Sequence, residues 1–206
     1  MCVDLMSLIA AIVDGDVAAF DARLAAMPVL ARQALADGAT RQRAGDFFLA
    51  SLGRYLMAGD TALHIAAGAC RIDMTQNLLA AGADPRARNR RGAEPLHDAA
   101  CGAPGAAAWN PDAQAQVISA LVAAGADPNT RDKSGATPLH KAVRTRCAGA
   151  VEALLAAGAD PALRTRNGST PLDLASLTTG RSGSGSVEAR EQQGLIKHIL
   201  NGENLI

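Results

Sequence analysis

Apolar residues at the start of the chain fall three or four apart. Leu5, Leu8, Ile9, Ile12 and Val13 form one face of a helix. Asp14-Gly15-Asp16 then reads as a turn, and Val17, Phe20 and Leu24 continue on a second helix that stops near Pro28. The pattern is less regular over 28–58. Residues 29–36 predict a short helix with Gly38 as its stop, and Phe47, Phe48, Leu52, Tyr55 and Leu56 predict one more. Beyond residue 57 the pattern becomes periodic. Leu78, Leu121 and Leu154 occupy corresponding helical positions, as do Leu79, Val122 and Leu155. Ala66-Ala67, Ala99-Ala100 and Ala142-Val143 put small residues on an earlier helix of each unit, where one helix can lie close to the next. Gly82, Gly125 and Gly158 follow the second helices and fit the left-handed residue that ends a helix. Polar links rich in Asp, Asn, Arg, Gly and Pro, such as 127–136, then read as turns. Leu195, Ile196, Ile199 and Leu200 mark the apolar face of a last helix over 187–200, after a Gly/Ser stretch at 178–186.

Two tetrapeptides keep time with this pattern. Thr61-Ala62-Leu63-His64, Glu94-Pro95-Leu96-His97, Thr137-Pro138-Leu139-His140 and Thr170-Pro171-Leu172-Asp173 start at steps of 33, 43 and 33 residues. Gly82-Ala83-Asp84-Pro85, Gly125-Ala126-Asp127-Pro128 and Gly158-Ala159-Asp160-Pro161 follow at steps of 43 and 33. Thr137 suits a helix N-cap and Pro138 the first helical position, where its missing N–H costs nothing. Glu94 is a weaker cap than Thr, so Glu94→Thr is expected to stabilise by roughly 0.5–1 kcal/mol. The longer step carries ten extra residues within about 101–112. Gly102, Pro104, Gly105 and Pro111 rule out a continuous helix there, and the single tryptophan, Trp109, lies among them. It is either an anchor for a partner or the small core of its own loop.

A 33-residue period with TPLH-like and GADP-like stretches resembles the ankyrin repeat over residues 56–177, a unit of a β-turn plus two helices. The resemblance implies an all-α solenoid of stacked helix-turn-helix units joined by β-turn or hairpin fingers. Four repeats would cover 57–177. Residues 1–56 would form a degenerate N-terminal repeat and helical cap, and 178–206 a linker and C-terminal capping helix. His64, His97 and His140 would bond backbone and Thr groups and steady each turn. Residues just before each TPL motif would lie on the fingers: Arg90, Arg91 and Ala93, then Lys133, Ser134 and Ala136, then Arg166, Asn167 and Ser169. Residues after each His would line a concave face: Asp98, Lys141 and Arg144. The partner-binding set expected from this arrangement is Arg90, Arg91, Asp98, Trp109, Lys133, Ser134, Lys141, Arg144 and Arg166.

Composition narrows the picture. Aromatics make up only 2% against 49% hydrophobic residues, so Ala and Leu must build the core. Four aromatics, Phe20, Phe47, Phe48 and Tyr55, precede residue 56 and are expected to seal that end of the stack. A formal net charge of zero argues against a globally basic nucleic-acid binder. Between 84 and 168, however, eleven Lys and Arg face eight Asp and Glu, which predicts a basic finger face. Few Lys beside many Arg and Ala suggest a GC-rich bacterial genome. Cys2, Cys70, Cys101 and Cys147 have no metal spacing and no regular place in the repeat, and read as free thiols in a reducing cytoplasm. No apolar run spans a membrane, and the N-terminus makes a poor signal peptide.

Chemistry is sparse. Equivalent histidines of stacked units stand about 10 Å apart, too far to share one zinc. The chain has no Walker loop, no GxGxxG and no nucleophile elbow. The expectation is a monomeric, non-enzymatic scaffold or adaptor without cofactor or metal, binding a protein of acidic surface. An accessory or stability factor for an enzyme, using the Trp109 loop or the N-terminal cap, is the alternative. A nucleic-acid binder is less favoured, because no aromatic platform is interleaved with the arginines.

Overall fold

The structure, a computed structural model, describes residues 3–102, 104, 109–177 and 187–202. Two layers of helices run the length of the chain. The inner layer is α3 (Ala62–Gly68), α5 (Pro95–Ala99), α7 (Pro138–Thr145) and α9 (Pro171–Ser176), each packed on the next. The outer layer is α4 (Ile72–Ala80), α6 (Pro111–Ala123), α8 (Ala148–Ala156) and α10 (Val187–Asn201). Ahead of them α1 (Val3–Asp14) packs on α3, and α2 (Val17–Ala26) reaches α4 through Asn77 Nδ2, which donates to Asp21 Oδ1 at 3.1 Å.

The inner helices are short and approach closely because Ala66, Ala67, Ala99, Ala100 and Ala142 are wholly buried between them. Leu78, Leu121 and Leu154 come in from the outer layer, and one apolar cluster runs unbroken from Leu5 to Ile196. A single unit could not bury this stripe, whereas neighbours in a stack do. Gly82, Gly125 and Gly158 end their helices at φ of 85°, 101° and 91°. The chain is an all-α solenoid of stacked helix pairs. No helix among the described residues is long and apolar enough to cross a membrane.

Three expectations change. Residues 29–36 do not form a helix. A single 3-10 turn, Pro28–Ala31, gives way to extended chain, because the backbone finds partners in 56–60 instead: Leu35 N–H donates to Asp60 O and Ala39 N–H to Leu56 O, both at 2.8 Å. The segment around Phe47 and Tyr55 is likewise not a helix. It is a small hairpin, β1 (Phe48–Leu49) and β2 (Arg54–Tyr55), turned at Gly53, which takes φ 58°. Of the four early aromatics only Phe20 and Phe47 are buried. Phe48 and Tyr55 stay exposed and pack against each other with tilted rings, centroids 4.8 Å apart. At the C-terminal end, α10 packs on both α8 and α9, the place of an outer helix of the fourth unit. Gln192 Oε1 accepts from Ala148 N–H, and Gln193 Nε2 donates to the carbonyls of Ala175 and Leu177. The Gly/Ser stretch 178–186 lies outside the described residues.

The extra residues of the second unit are accommodated partly as helix. Asn110 caps α6 by accepting from Ala113 N–H, Pro111 is its first residue, and α6 has 13 residues where α4 and α8 have nine. Trp109 is half-buried against the core, and its Nε1 donates to Gln114 Oε1 at 3.2 Å. Gln114 is buried and bonds Ala99 O in turn. Residues 103 and 105–108, Gly105 among them, lie outside the described residues. Cys70, Cys101 and Cys147 each follow an inner helix at the turn toward the outer one, although at different distances from the motif histidines. Burial pushes the Cys70 and Cys101 thiols up to about 11, so they stay protonated and unreactive at neutral pH. Cys2 lies outside the described residues.

Candidate functional site

The recurring motif residues divide between scaffold and free surface. His64, His97 and His140 are scaffold. Their Nδ1 atoms accept from the N–H of Thr61, Glu94 and Thr137 at 3.1–3.2 Å. That fixes the proton on Nε2, which donates onward to Ala93 O, Ala136 O and Ser169 O of the following unit. Each imidazole thus closes one helix cap and ties it to the next repeat. Burial lowers the His97 and His140 pKa below the ordinary 6.5. The unfolded chain therefore binds protons first as the pH falls, and stability is lost below about 6.5, at about 1.4 kcal/mol for each unit by which a histidine is held down. Thermal melts should show a flat midpoint above pH 7 and a falling one between pH 6.5 and 5.

Glu94 is more than a weak cap. Its buried Oε1 accepts from Thr130 Oγ1 at 2.7 Å and from Arg88 Nε at 3.0 Å, binding the second unit to the third. The sequence expectation for Glu94→Thr therefore reverses. The shorter side chain keeps a cap but forfeits two bonds to a carboxylate, and the variant should lose about 1 kcal/mol in urea denaturation.

The fingers are built by side chains that bond their own backbone. Asn89 Oδ1 accepts from the N–H of Arg91 and Ala93, and Asp132 Oδ1 from the N–H of Ser134 and Ala136. Neighbouring fingers are laced by Arg90 N–H to Ala58 O, Lys133 N–H to Arg91 O and Arg166 N–H to Ser134 O. This ladder holds Arg90, Arg91, Lys133, Ser134 and Arg166 along one edge. Several link arginines do not add to it, because they serve carbonyls: Arg86 Nε donates to Gly125 O, Arg131 Nη1 to Arg164 O and Arg164 Nη1 to Gly168 O.

The concave surface has two halves of opposite character. Over the first two repeats it is closed by the chain's own hairpin. Arg54 donates to His64 O at 3.1 Å and to Asp98 Oδ2 at 3.0 Å, and pairs with Asp60 at 3.4 Å. Burial works against the Arg54 charge, but Asp98 and Asp60 more than offset it and raise its pKa. Burial, and then the Asp98 charge, raise the Asp60 pKa. Asp60, His64 and Asp98 have ligand atoms within 4.8 Å of one another. The group is nonetheless an ion-pair lock rather than a metal centre, since Arg54 fills it and both His64 nitrogens are engaged.

The other half is open. A cleft of about 870 Å³ crosses the third repeat, from the tips of the fingers to the middle of α10. Arg90, Arg91, Lys133, Ser134, Lys141 and Arg144 line it, six of the residues expected from the sequence. Lys141 Nζ holds Asp132 Oδ2 at 2.6 Å, and this bond, with those from Ser134, outweighs burial and brings the Asp132 pKa down to about 2. Arg90 Nη2 donates to Ala39 O. Arg91, Lys133 and Arg144 make no side-chain hydrogen bond or ion pair among the described residues. The floor is apolar, with Val143, Leu174 and Ile196. Asp98, Trp109 and Arg166 lie outside the cleft: Asp98 is taken by Arg54, Trp109 packs at the inter-helix turn, and Arg166 stands on the last finger. Sequence reasoning missed Arg146, Leu177 and Gln193 as lining residues. The first follows the helix in a left-handed turn (φ 61°), and the last two meet only because α10 folds back.

No curated protein matches the chain. Two family models do. The model described as "Ankyrin repeat" matches residues 58–90, and that described as "Ankyrin repeats (many copies)" matches residues 121–175. The matched spans carry the capped helices α3, α7 and α9 with His64 and His140, and α5 with His97 continues the same pattern between them, so the architecture and the family models agree: the chain carries ankyrin repeats, over residues 58–90 and 121–175.

Proposed function

We propose that the protein is a non-catalytic scaffold or adaptor that takes a protein partner on the open half of its concave surface. Ankyrin repeats generally mediate protein–protein interaction, and the open cleft supports this surface as the one used here. The observation that carries the reading is the set Arg91, Lys133 and Arg144. These are cations without an acidic partner among the described residues, on the rim of a cleft with an apolar floor. No hydrogen bond or ion pair among the described residues engages their side chains. Their charge favours a partner of acidic surface, whose approach they would steer and whose binding salt would weaken.

The test is the triple variant R91E/K133E/R144E. All three side chains are exposed, so the melting temperature should stay within a few degrees of wild type. Affinity capture from the source cells, compared side by side, should lose the partner recovered by the wild-type chain. Retention of that partner by a folded triple variant would refute the reading.

An accessory role through the N-terminal cap is the second reading, favoured by the exposed pair Phe48 and Tyr55. In that case F48A/Y55A, rather than the triple variant, abolishes capture. Trp109→Ala separates the remaining form of that reading, docking through the insert.

A further inference from the structure

The closed half of the concave surface shows how this groove holds a strand, because the chain supplies one itself. Arg54 lies on the extended strand β2 and enters between the first two repeats. It passes over Gly68, where an added Cβ would stand 2.5 Å from Arg54 Nη1, and it ends on Asp98. Gly68 is the fourth residue after His64, and Asp98 is the first after His97. The same two positions recur along the stack with different residues. The first position after His140 is Lys141, and the fourth is Arg144. The seat of Arg54 joins the fourth position of one repeat to the first of the next; one step along, that pair is Cys101 with Lys141, and two steps along it is Arg144 with Leu174. Where the chain's own cation sits, the wall offers a carboxylate and room; in the open cleft these positions offer the cations Lys141 and Arg144 instead. Beside them Val143, Leu174 and the exposed Leu177 make an apolar strip.

We propose that the open half accepts an extended acidic segment of a partner protein, one carboxylate seated between Lys141 and Arg144 as Arg54 is seated on Asp98. An aliphatic side chain two residues away lies on Val143 and Leu174, since alternate side chains of a strand share a face. Arg91 and Lys133 on the fingers hold further carboxylates from the opposite wall. This rests on the function proposed above and specifies the chemistry of its partner.

The probe is a fluorescein-labelled peptide of about ten residues, spanning about 33 Å when extended, with Glu and Leu taking turns at every second position so that both lie on one face, and Ser between them. Anisotropy titration of the whole chain should show saturable binding. Arg144→Glu, at an exposed position, should weaken it at least about tenfold, and Lys141→Gln should weaken it severalfold. A matched peptide with Lys in place of Glu should not bind. No binding of the Glu peptide overturns the inference, as does binding that Arg144→Glu leaves unchanged. A ten-nucleotide oligothymidylate bound as tightly as the peptide also overturns it, because the cleft would then be a general polyanion site. If the triple variant loses the cellular partner while the Glu peptide fails to bind, the acidic strand is wrong and the binding surface stands. If the triple variant keeps its partner, the surface itself is wrong.

Discussion

Replacing Arg54 with Met should destabilise the protein by about 3 kcal/mol and detach residues 33–58 from the concave surface. Met keeps most of the apolar stem and removes only the guanidinium. Two carboxylates then face each other without their cation: Asp60, with no exposed surface, and Asp98, largely covered. Asp60 retains its bonds from Met57 N–H and Asn89 Nδ2, so its carboxylate cannot simply swing out. Leaving one member of a buried pair uncompensated is the costly case; the pair itself contributes little net. Urea denaturation should give the loss, and amide exchange should rise over 33–58 with little change in α6 or α8. The deficit should also depend on pH. The Asp60 pKa is already raised above 3.8 in the wild type, and without Arg54 it rises further. A raised carboxylate pKa contributes stability that is present at low pH and lost as pH increases through it. The gap between variant and wild type should therefore narrow as the pH is lowered toward 3.8. Adding Asp98→Asn to Arg54→Met should recover part of the loss, because it removes the like charge.

Gly38→Ala should cost roughly 3 kcal/mol or more, although it adds a single methyl group. The new Cβ would stand 2.2 Å from Ala58 N and 2.4 Å from Met57 C, well inside the 3.5–4.0 Å of a favourable contact. Those are backbone atoms and cannot rotate away. Both strands are pinned, by Leu35 N–H to Asp60 O, Gly59 N–H to Leu35 O and Ala39 N–H to Leu56 O. The variant must break part of that pairing. Gly45→Ala is the control, since nothing lies within 4 Å of its added Cβ, and its midpoint should hardly move. Equal effects at the two positions would contradict the packing described for 33–60.

These two sites also show where the sequence could be read and where it could not. The repeats were legible because each signal is local and recurs. A cap at Thr137, a proline after it, a histidine three residues on and a glycine stop each act within a few residues, and their period gives the stack. The arginines could not be sorted that way. Arg86, Arg131 and Arg164 serve carbonyls, whereas Arg91 and Arg144 do not, and only the fold separates them. Gly38 looked like a helix stop because apolar spacing over 29–36 suits a helix. The backbone there is satisfied by residues well beyond helical reach, at 56–60, which no local pattern records. Arg54 is 44 residues from Asp98, so the lock that closes half of the groove was invisible. The place of α10 was hidden for a similar reason. The chain between it and α9 interrupts the 33-residue timing, and its outer-helix role shows only in its contacts with α8.

Binding is proposed to be confined to the open, basic half of the concave surface. Backbone amide chemical-shift mapping on the whole 206-residue chain, with the captured partner added, tests it most directly. Shifts concentrated at Arg91–Gly92, Lys133–Gly135 and Lys141–Arg144, with α3, α4 and the hairpin unmoved, are the predicted result. Shifts concentrated on the outer helices, on Phe48 and Tyr55, or around Trp109, with the cleft unmoved, would contradict it.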